Sequence, residues 1–167
     1  MSDSPTRTEH DKLATECVVA ITELGERLVS YGAKISRNHG IPSPGGFNAL
    51  AILHFEGQPL QPSAIAERMI ITRGGLTGIL RTLERHGLIR RHQHPVDGRA
   101  QLIELTAGGR RRIASALAEF HRAEARWMEP LDLDERRLLL ELVTRALESA
   151  PDRPGNPQFG ASRDGVE

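Results

Sequence analysis

The hydrophobic period of the chain changes at Gly87, and this change constrains the fold more than any other feature. Before Gly87, apolar residues recur at steps of three and four, which is the spacing of one helix face. After it, residues 88–93 and 100–105 read as strands, and Asp97-Gly98 between them indicates a tight hairpin turn. The pattern therefore predicts a mainly α-helical fold that carries a small β-hairpin.

Two short helices are predicted just before this hairpin. Pro62 opens the first, which extends to Met69, and Thr72 is a suitable N-cap for the second, over residues 73–86. Gly87 can close the second helix in the left-handed conformation. Two short helices joined by a few residues form a helix-turn-helix, and the hairpin adds a wing to it.

Longer helices are predicted on both sides of this winged helix-turn-helix. Helical spacing covers residues 11–37, and Ser43, followed by proline, can cap a helix that begins at residue 44. Two more helices are predicted over 107–128 and 132–149. Because a helix as long as the first needs a partner along its length, the outer helices are candidates for a dimer interface.

The two ends of the chain lack this patterning. Residues 1–9 are polar and unlike a secretory signal, and residues 150–167 are rich in proline, glycine and polar side chains, so both tails are expected to be disordered. No apolar stretch approaches the roughly 18 residues of a membrane helix. The single cysteine, Cys17, excludes an internal disulfide. These features predict a soluble cytoplasmic protein with no membrane partner.

A net charge of zero conceals an uneven distribution of charge. The 22 basic side chains balance 22 acidic ones over the whole chain. Residues 62–112, however, contain 10 basic and 4 acidic side chains and carry a net charge of +6. A basic segment within an acidic body favours a polyanion-binding lobe, although a solvated surface also fluctuates by a few charges.

Short motifs occur at regular spacing between Ile65 and Gly109. They are Leu83-Glu84, Gly87-Leu88-Ile89, Arg91, Asp97-Gly98-Arg99 and Leu105-Thr106 with Gly109. This block resembles the MarR family of bacterial transcriptional regulators, and the flanking helices extend the resemblance over residues 10–149. The sequence departs from the family pattern at Gly98, where a second arginine is common.

The resemblance implies a homodimer whose winged lobes bind a palindromic operator in double-stranded DNA. It assigns residues 10–149 to one domain, with a winged helix-turn-helix lobe at 44–105 and dimerisation helices at 10–38 and 107–149. It further implies a small, often aromatic effector that binds between lobe and dimer domain and releases the DNA. The expected function is therefore a ligand-responsive regulator, most simply a repressor.

The helix at 73–86 is expected to lie in the major groove, because its core-facing leucines leave a short cationic stripe on the other side. In the wing, Arg99 is the candidate for a minor-groove contact, and by resemblance Asp97 orients an arginine. The candidate DNA-contacting residues are Ser63, Thr72, Arg73, Gly74, Gly75, Thr77, Arg81, Arg91, Asp97 and Arg99.

Three glycines, Gly74, Gly75 and Gly78, are unusual inside this helix, since each costs on the order of 1 kcal/mol relative to alanine. Two explanations are open. The helix backbone approaches DNA closely, or it packs tightly against the preceding short helix. The arginines at 110–112 are equally ambiguous, because they either reach the DNA backbone or form a solvated run of charge.

The signal that such a regulator senses is less constrained by the sequence. Tyr31, Phe47 and His54 are candidates for lining a ligand pocket, and each is also a plausible core residue. Cys17 is either a redox sensor, which makes a thiol-based regulator an alternative function, or a structural cysteine. A winged-helix protein-interaction module is a further alternative.

An enzymatic function has little support in the sequence. The phosphate-binding G-x-x-x-x-G-K, the zinc-binding H-E-x-x-H and the nucleophile G-x-S-x-G motifs are absent. His92 and His94 share one strand face but lack the third and fourth ligands that zinc needs. No cofactor and no metal are therefore expected.

Overall fold

The computed structural model describes residues 7–69, 73–93, 95 and 100–150; the side chains of Arg7 and Arg73 are not described. The helices are α1 (Arg7–Asn38), α2 (Pro44–Glu56), α3 (Pro62–Met69), α4 (Arg73–Arg85), α5 (Ala107–Trp127) and α6 (Leu133–Ser149), and the strands are β1 (Ile89–Gln93) and β2 (Gln101–Leu105). The predicted fold class, mainly helical with a two-stranded hairpin, is confirmed.

Most predicted boundaries agree with the structure to within a few residues, and the largest difference is at the start of α1. This helix begins at Arg7, so residues 7–9 of the expected tail are helical. Glu9 in the first turn favours this extension because its negative charge interacts with the positive end of the helix dipole. Residues 1–6 and 151–167 lie outside the described residues.

Local capping explains where several helices begin and end. The Ser43 hydroxyl accepts a hydrogen bond from the Gly46 N–H at 3.0 Å, and α2 ends at Gly57, whose φ is 66°. Asp132 and Glu135 form a reciprocal capping box at the start of α6. None of the described helices is both long and apolar enough to cross a membrane.

The chain divides into two compact units within α5, residues 1–120 and 121–167. The core of the first unit lies between α2, α3, α4 and the hairpin, and it includes the fully buried residues Leu50, Ile65, Leu80, Leu83 and Ile103. In the antiparallel hairpin, Ile89 is opposite Leu105 and Gln93 is opposite Gln101. The buried ends of both strands thus join the hairpin to the core.

A single residue between α2 and α3, Leu60, pairs with the hairpin as an isolated bridge. The Leu60 N–H donates to the Ile103 carbonyl at 3.0 Å, and the Ile103 N–H donates to the Leu60 carbonyl at 2.8 Å. This isolated bridge ties the hairpin to the segment between α2 and α3.

The base of the hairpin is closed by Thr106 and Gly109. The Thr106 hydroxyl donates to the Gly87 carbonyl at 2.7 Å and accepts from the Gly109 N–H at 2.9 Å, so it caps α5. The Thr106 N–H donates to the Leu88 carbonyl at 3.0 Å. A Cβ atom at position 109 would lie 2.0 Å from the Leu88 carbonyl oxygen, so only glycine fits there.

On the outer face of the hairpin, two basic residues interact with Glu104. Arg90 donates a hydrogen bond to its carboxylate, and His92 Nε2 lies 3.6 Å from Oε1. The hydrogen bond from Arg90 is the main reason that the pKa of Glu104 is lowered from its ordinary value. Because Arg90 is largely exposed, solvent screens the pair, and we expect it to stabilise the fold by about 0–1 kcal/mol.

Replacing Gly109 with alanine is expected to lower the free energy of unfolding by about 1–3 kcal/mol, because the new methyl group overlaps the Leu88 carbonyl. Denaturant unfolding followed by circular dichroism measures the change. Gly108→Ala is the matched control, since a Cβ there meets the Thr106 hydroxyl at an ordinary 3.6 Å. Equal stability of the two variants would contradict this explanation of Gly109.

Replacing Glu104 with glutamine is expected to remove part of the acid sensitivity of the fold. A lowered pKa in the folded state stabilises the protein above the unfolded-state pKa, near 4.5, and this stabilisation is lost as the pH falls through the folded-state pKa. The difference in unfolding free energy between Glu104→Gln and the unsubstituted chain should therefore shrink between about pH 7 and about pH 3. Urea titrations measure it, with Glu67→Gln as the control for an exposed carboxylate. A constant difference across this range would contradict the assignment.

Candidate nucleic-acid interface

Helix α4 has one face in the core and the opposite face exposed. Leu76, Leu80 and Leu83 are at most 1% exposed and fix the rotation of the helix about its axis. At 100° per residue, the positions directly opposite these leucines are Gly74, Gly78, Arg81 and Arg85, and Thr77 lies beside them. All five of these residues are exposed. The outer face of α4 therefore lacks side chains at Gly74 and Gly78 in its first half and carries arginines in its second half.

The structure argues against the packing explanation of the glycines at two of the three positions. A Cβ atom added at Gly74 or at Gly78 would have no described atom within 4 Å. Packing against α3 therefore does not require glycine at either position. Gly75 is also exposed. The close approach of the α4 backbone to DNA stays a prediction at these positions.

Several predicted contact residues fall outside the described part of the chain. Thr72, Asp97 and Arg99 are among them, and Arg73 opens α4 although its side chain is not described. Ser63 is exposed in the first turn of α3. Among the described residues, the candidates brought together on one face are thus those of α4.

Arg91, a predicted DNA contact, lies against α4. Its Nε atom donates to Glu84 Oε2 at 3.0 Å, and its Nη1 atom donates to Gln101 Oε1 at 3.4 Å. Arg90 and His92 face the other way, towards Glu104. Arg90 and Arg91, two of the ten arginines counted in this segment, are therefore paired with carboxylates of the lobe.

Two contacts that the sequence analysis missed join the end of α1 to α5. His39 Nε2 lies 2.7 Å from Glu119 Oε2, and Arg112 Nη1 donates to the Gly40 carbonyl at 3.0 Å. Arg112 is thus a structural residue rather than part of a solvated run. The partners are separated by 80 and 72 residues, so no local pattern signals them.

The three candidate pocket residues do not share one described contact. Phe47 is buried, and its ring centroid lies 5.8 Å from that of Phe120. Tyr31 is half-buried and packs against the same core. His54 lies two turns further along α2, with its ring 5.7 Å from Phe55. Phe120, on α5, thus adds an aromatic ring beside Phe47.

Cys17 is exposed on α1, and so are its neighbours Val18 and Val19. It is therefore not a core residue of the single chain. Within the described ranges, no group of three or more histidine, cysteine, aspartate or glutamate side chains is arranged to hold a metal ion.

Comparison with known proteins centres on the lobe that carries α4. Residues 43–100 match the family model described as the MarR family. Over 96 residues the chain is 30% identical to YdgJ of Bacillus subtilis, named as an uncharacterized HTH-type transcriptional regulator. This alignment covers 58% of the chain and 58% of YdgJ, so the chain spans little more than half the length of this relative.

Solved structures match a larger part of the chain. NadR in complex with 4-hydroxyphenylacetate has a TM-score of 0.63 at 22% identity, and the match covers 90% of this chain and 100% of NadR. CouR from Rhodococcus jostii RHA1, bound to p-coumaroyl-CoA, has a TM-score of 0.68 at 20% identity, covering 84% and 98%. These likenesses establish a shared fold. In residues 43–100 the chain is thus similar to the MarR family, as the matched family model, the named relative and the motifs between Ile65 and Gly109 all indicate.

Proposed function

We propose that this chain is a sequence-specific DNA-binding transcriptional regulator of the bacterial cytoplasm. It acts as a homodimer on a palindromic operator, with α4 in the major groove and the hairpin near the adjacent minor groove. The observation that carries the proposal is the exposed face of α4, where buried leucines turn Thr77 and Arg81 outward from a basic segment.

The chemistry of this face suits base recognition. A guanidinium such as that of Arg81 can donate two hydrogen bonds to the O6 and N7 atoms of guanine, and a threonine can contact bases through its hydroxyl or methyl group. The bare surface at Gly74 and Gly78 lets the helix backbone lie deeper in the groove than a helix with side chains there. The predicted DNA contacts also include Thr72, Arg73, Asp97 and Arg99.

Exposed apolar residues support the homodimer. Leu13, Val18 and Val29 are 59%, 63% and 69% exposed on α1, and the leucines of α6 are similarly exposed, with Leu147 at 69%. Soluble monomers rarely leave such surface uncovered, and a helix of 32 residues needs packing along its length. A second copy of the chain is the simplest cover for these residues. A two-fold dimer would read half-sites about one helical turn apart.

We assign the effector to an aromatic carboxylic acid or its thioester. NadR and CouR, which share the fold, are bound to 4-hydroxyphenylacetate and p-coumaroyl-CoA. In this chain the aromatic pair of Phe47 and Phe120, with Tyr31 packed on the same core, offers stacking partners for such a ring. Binding there releases the operator, which makes the chain a repressor.

A salt-dependent mobility shift tests the function directly. DNA duplexes are first selected from a random pool by the purified chain, and the selected sites are then titrated at several salt concentrations. We expect a palindromic site that withstands competitor DNA and an affinity that falls linearly with the logarithm of salt concentration. Selection of no common sequence would refute the proposal, whereas an affinity independent of salt would exclude binding through phosphate contacts.

Replacing Arg81 with alanine is expected to weaken operator binding by about 1–3 kcal/mol and to relax the base preference at one position of each half-site. The reason is the loss of a base contact from the centre of the exposed α4 face. Fluorescence anisotropy with a panel of single-base operator variants measures both effects. Arg137→Ala on α6 removes the same charge outside the lobe and should bind normally. A uniform loss at every position would make Arg81 a phosphate contact instead.

Replacing Gly78 with alanine is expected to change folding and binding in opposite directions. The new methyl group meets no described atom and removes a helix-destabilising glycine, so stability should rise by up to about 1 kcal/mol. Operator affinity should fall, because the methyl group stands between the helix and the groove floor. Thermal unfolding and anisotropy on the same preparation measure the two effects. Unchanged affinity would show that the backbone does not approach DNA at this position.

A further inference from the structure

Arg91 is held between two other elements of the lobe. Its guanidinium donates to Glu84 on α4 at 3.0 Å and to Gln101 on β2 at 3.4 Å. The Arg91 side chain is 26% exposed, and that of Glu84 is 43% exposed. One side chain on β1 thus connects α4 to both strands of the hairpin.

The register of the hairpin explains why Arg91 takes this place. Successive strand residues point to opposite faces, and Arg91 is opposite Ile103, which is fully buried. Arg91 therefore emerges on the inner face of the hairpin, whereas Arg90 and His92 emerge on the outer face and pair with Glu104. A guanidinium can serve two acceptors at once because its five N–H donors lie in a rigid planar fork.

The hairpin needs such a connection. Two antiparallel strands alone are marginally stable in water, and the core holds this pair through Ile89 on β1 and through Ile103 and Leu105 on β2. On β1, Ile89 is the last buried residue, and Arg91 lies two residues beyond it, opposite Ile103. A contact between Arg91 and α4 therefore ties β1 to the helix at a level where the core holds only β2.

We propose that Glu84 and Arg91 form a strut that sets the angle of the wing relative to α4, and that Glu84 is a positioning residue for DNA recognition. The strut rests on the proposed function, since its purpose is to hold two elements in register with adjacent grooves. It replaces the DNA contact expected for Arg91 from the sequence. Moving the guanidinium to a phosphate would cost both of its present hydrogen bonds.

The direction in which removal of Glu84 changes DNA affinity distinguishes the strut from a direct contact between Arg91 and DNA. Glu84 adds a negative charge beside the exposed face of α4, so electrostatics alone predicts that its removal strengthens binding to DNA. If Arg91 served a phosphate, removing Glu84 would also release it for that contact. The strut predicts the opposite, because the wing loses its alignment when Glu84 is lost.

The experiment measures operator affinity against salt concentration for Glu84→Ala, Arg91→Gln and the double variant, using duplexes selected by the unsubstituted chain. Each single variant is expected to bind roughly threefold to thirtyfold more weakly, and the double variant no more weakly than the singles, since both act through one contact. The salt slopes of Glu84→Ala and Arg91→Gln should be equal, because both variants lose the same internal contact and Arg91 itself makes no phosphate contact. Glu67→Ala removes an exposed glutamate from α3 and should bind at least as tightly as the unsubstituted chain.

Two results would overturn the strut. One is unchanged or tighter binding by Glu84→Ala, and the other is a salt slope lower by about 0.9 in Arg91→Gln than in Glu84→Ala, the value for one phosphate contact made by Arg91 itself. A readout without DNA separates this proposal from the function itself. In the free protein, the Arg91 Nε–H signal in a nitrogen-15 NMR spectrum should exchange slowly with water and shift in Glu84→Ala. A signal that Glu84→Ala leaves unchanged refutes the strut even where operator binding is intact, and a shifted signal supports it even where the selection of DNA fails.

Discussion

The contact between Gly109 and the Leu88 carbonyl is the constraint on which the lobe depends. It brings the first turn of α5 against the start of β1, and the Thr106 hydroxyl then bridges both sides of the junction. This junction therefore holds the start of β1 and the end of β2 next to the end of α4 and the start of α5. Any side chain at position 109 forces this junction apart, which explains why the Leu-Thr-x-x-Gly motif is a structural element rather than a DNA contact.

The sequence was sufficient for features that depend on local chemistry. Hydrophobic spacing located the helices, Ser43 marked the start of α2, and the change of period at Gly87 located the hairpin. The same logic identified the outward face of α4, because helical geometry alone determines which residues are opposite Leu76 and Leu80. The prediction of the fold class rested on these features.

Pairings between distant residues could not be predicted from the same patterns. The pairing of Leu60 with Ile103 is one example, because a single bridged residue has no periodicity. Arg112 looked like one member of a charge run, and only the folded chain brings it to the Gly40 carbonyl. The pairing of Arg91 with Glu84 was not predictable for the same reason: the sequence neighbours of Arg91 are basic, and Glu84 lies one element earlier.

The open space above Gly74 and Gly78 has a consequence for protein engineering. Both glycines weaken α4, and the structure offers room for a methyl group at each position, so a screen for thermostable variants would select alanine there early. Such a screen selects only for stability of the folded state and does not test whether another molecule can still bind to the helix. A version of this protein optimised for crystallisation or storage would therefore acquire its first improvements on the surface proposed to contact DNA, so that stability would be gained at the expense of the proposed function.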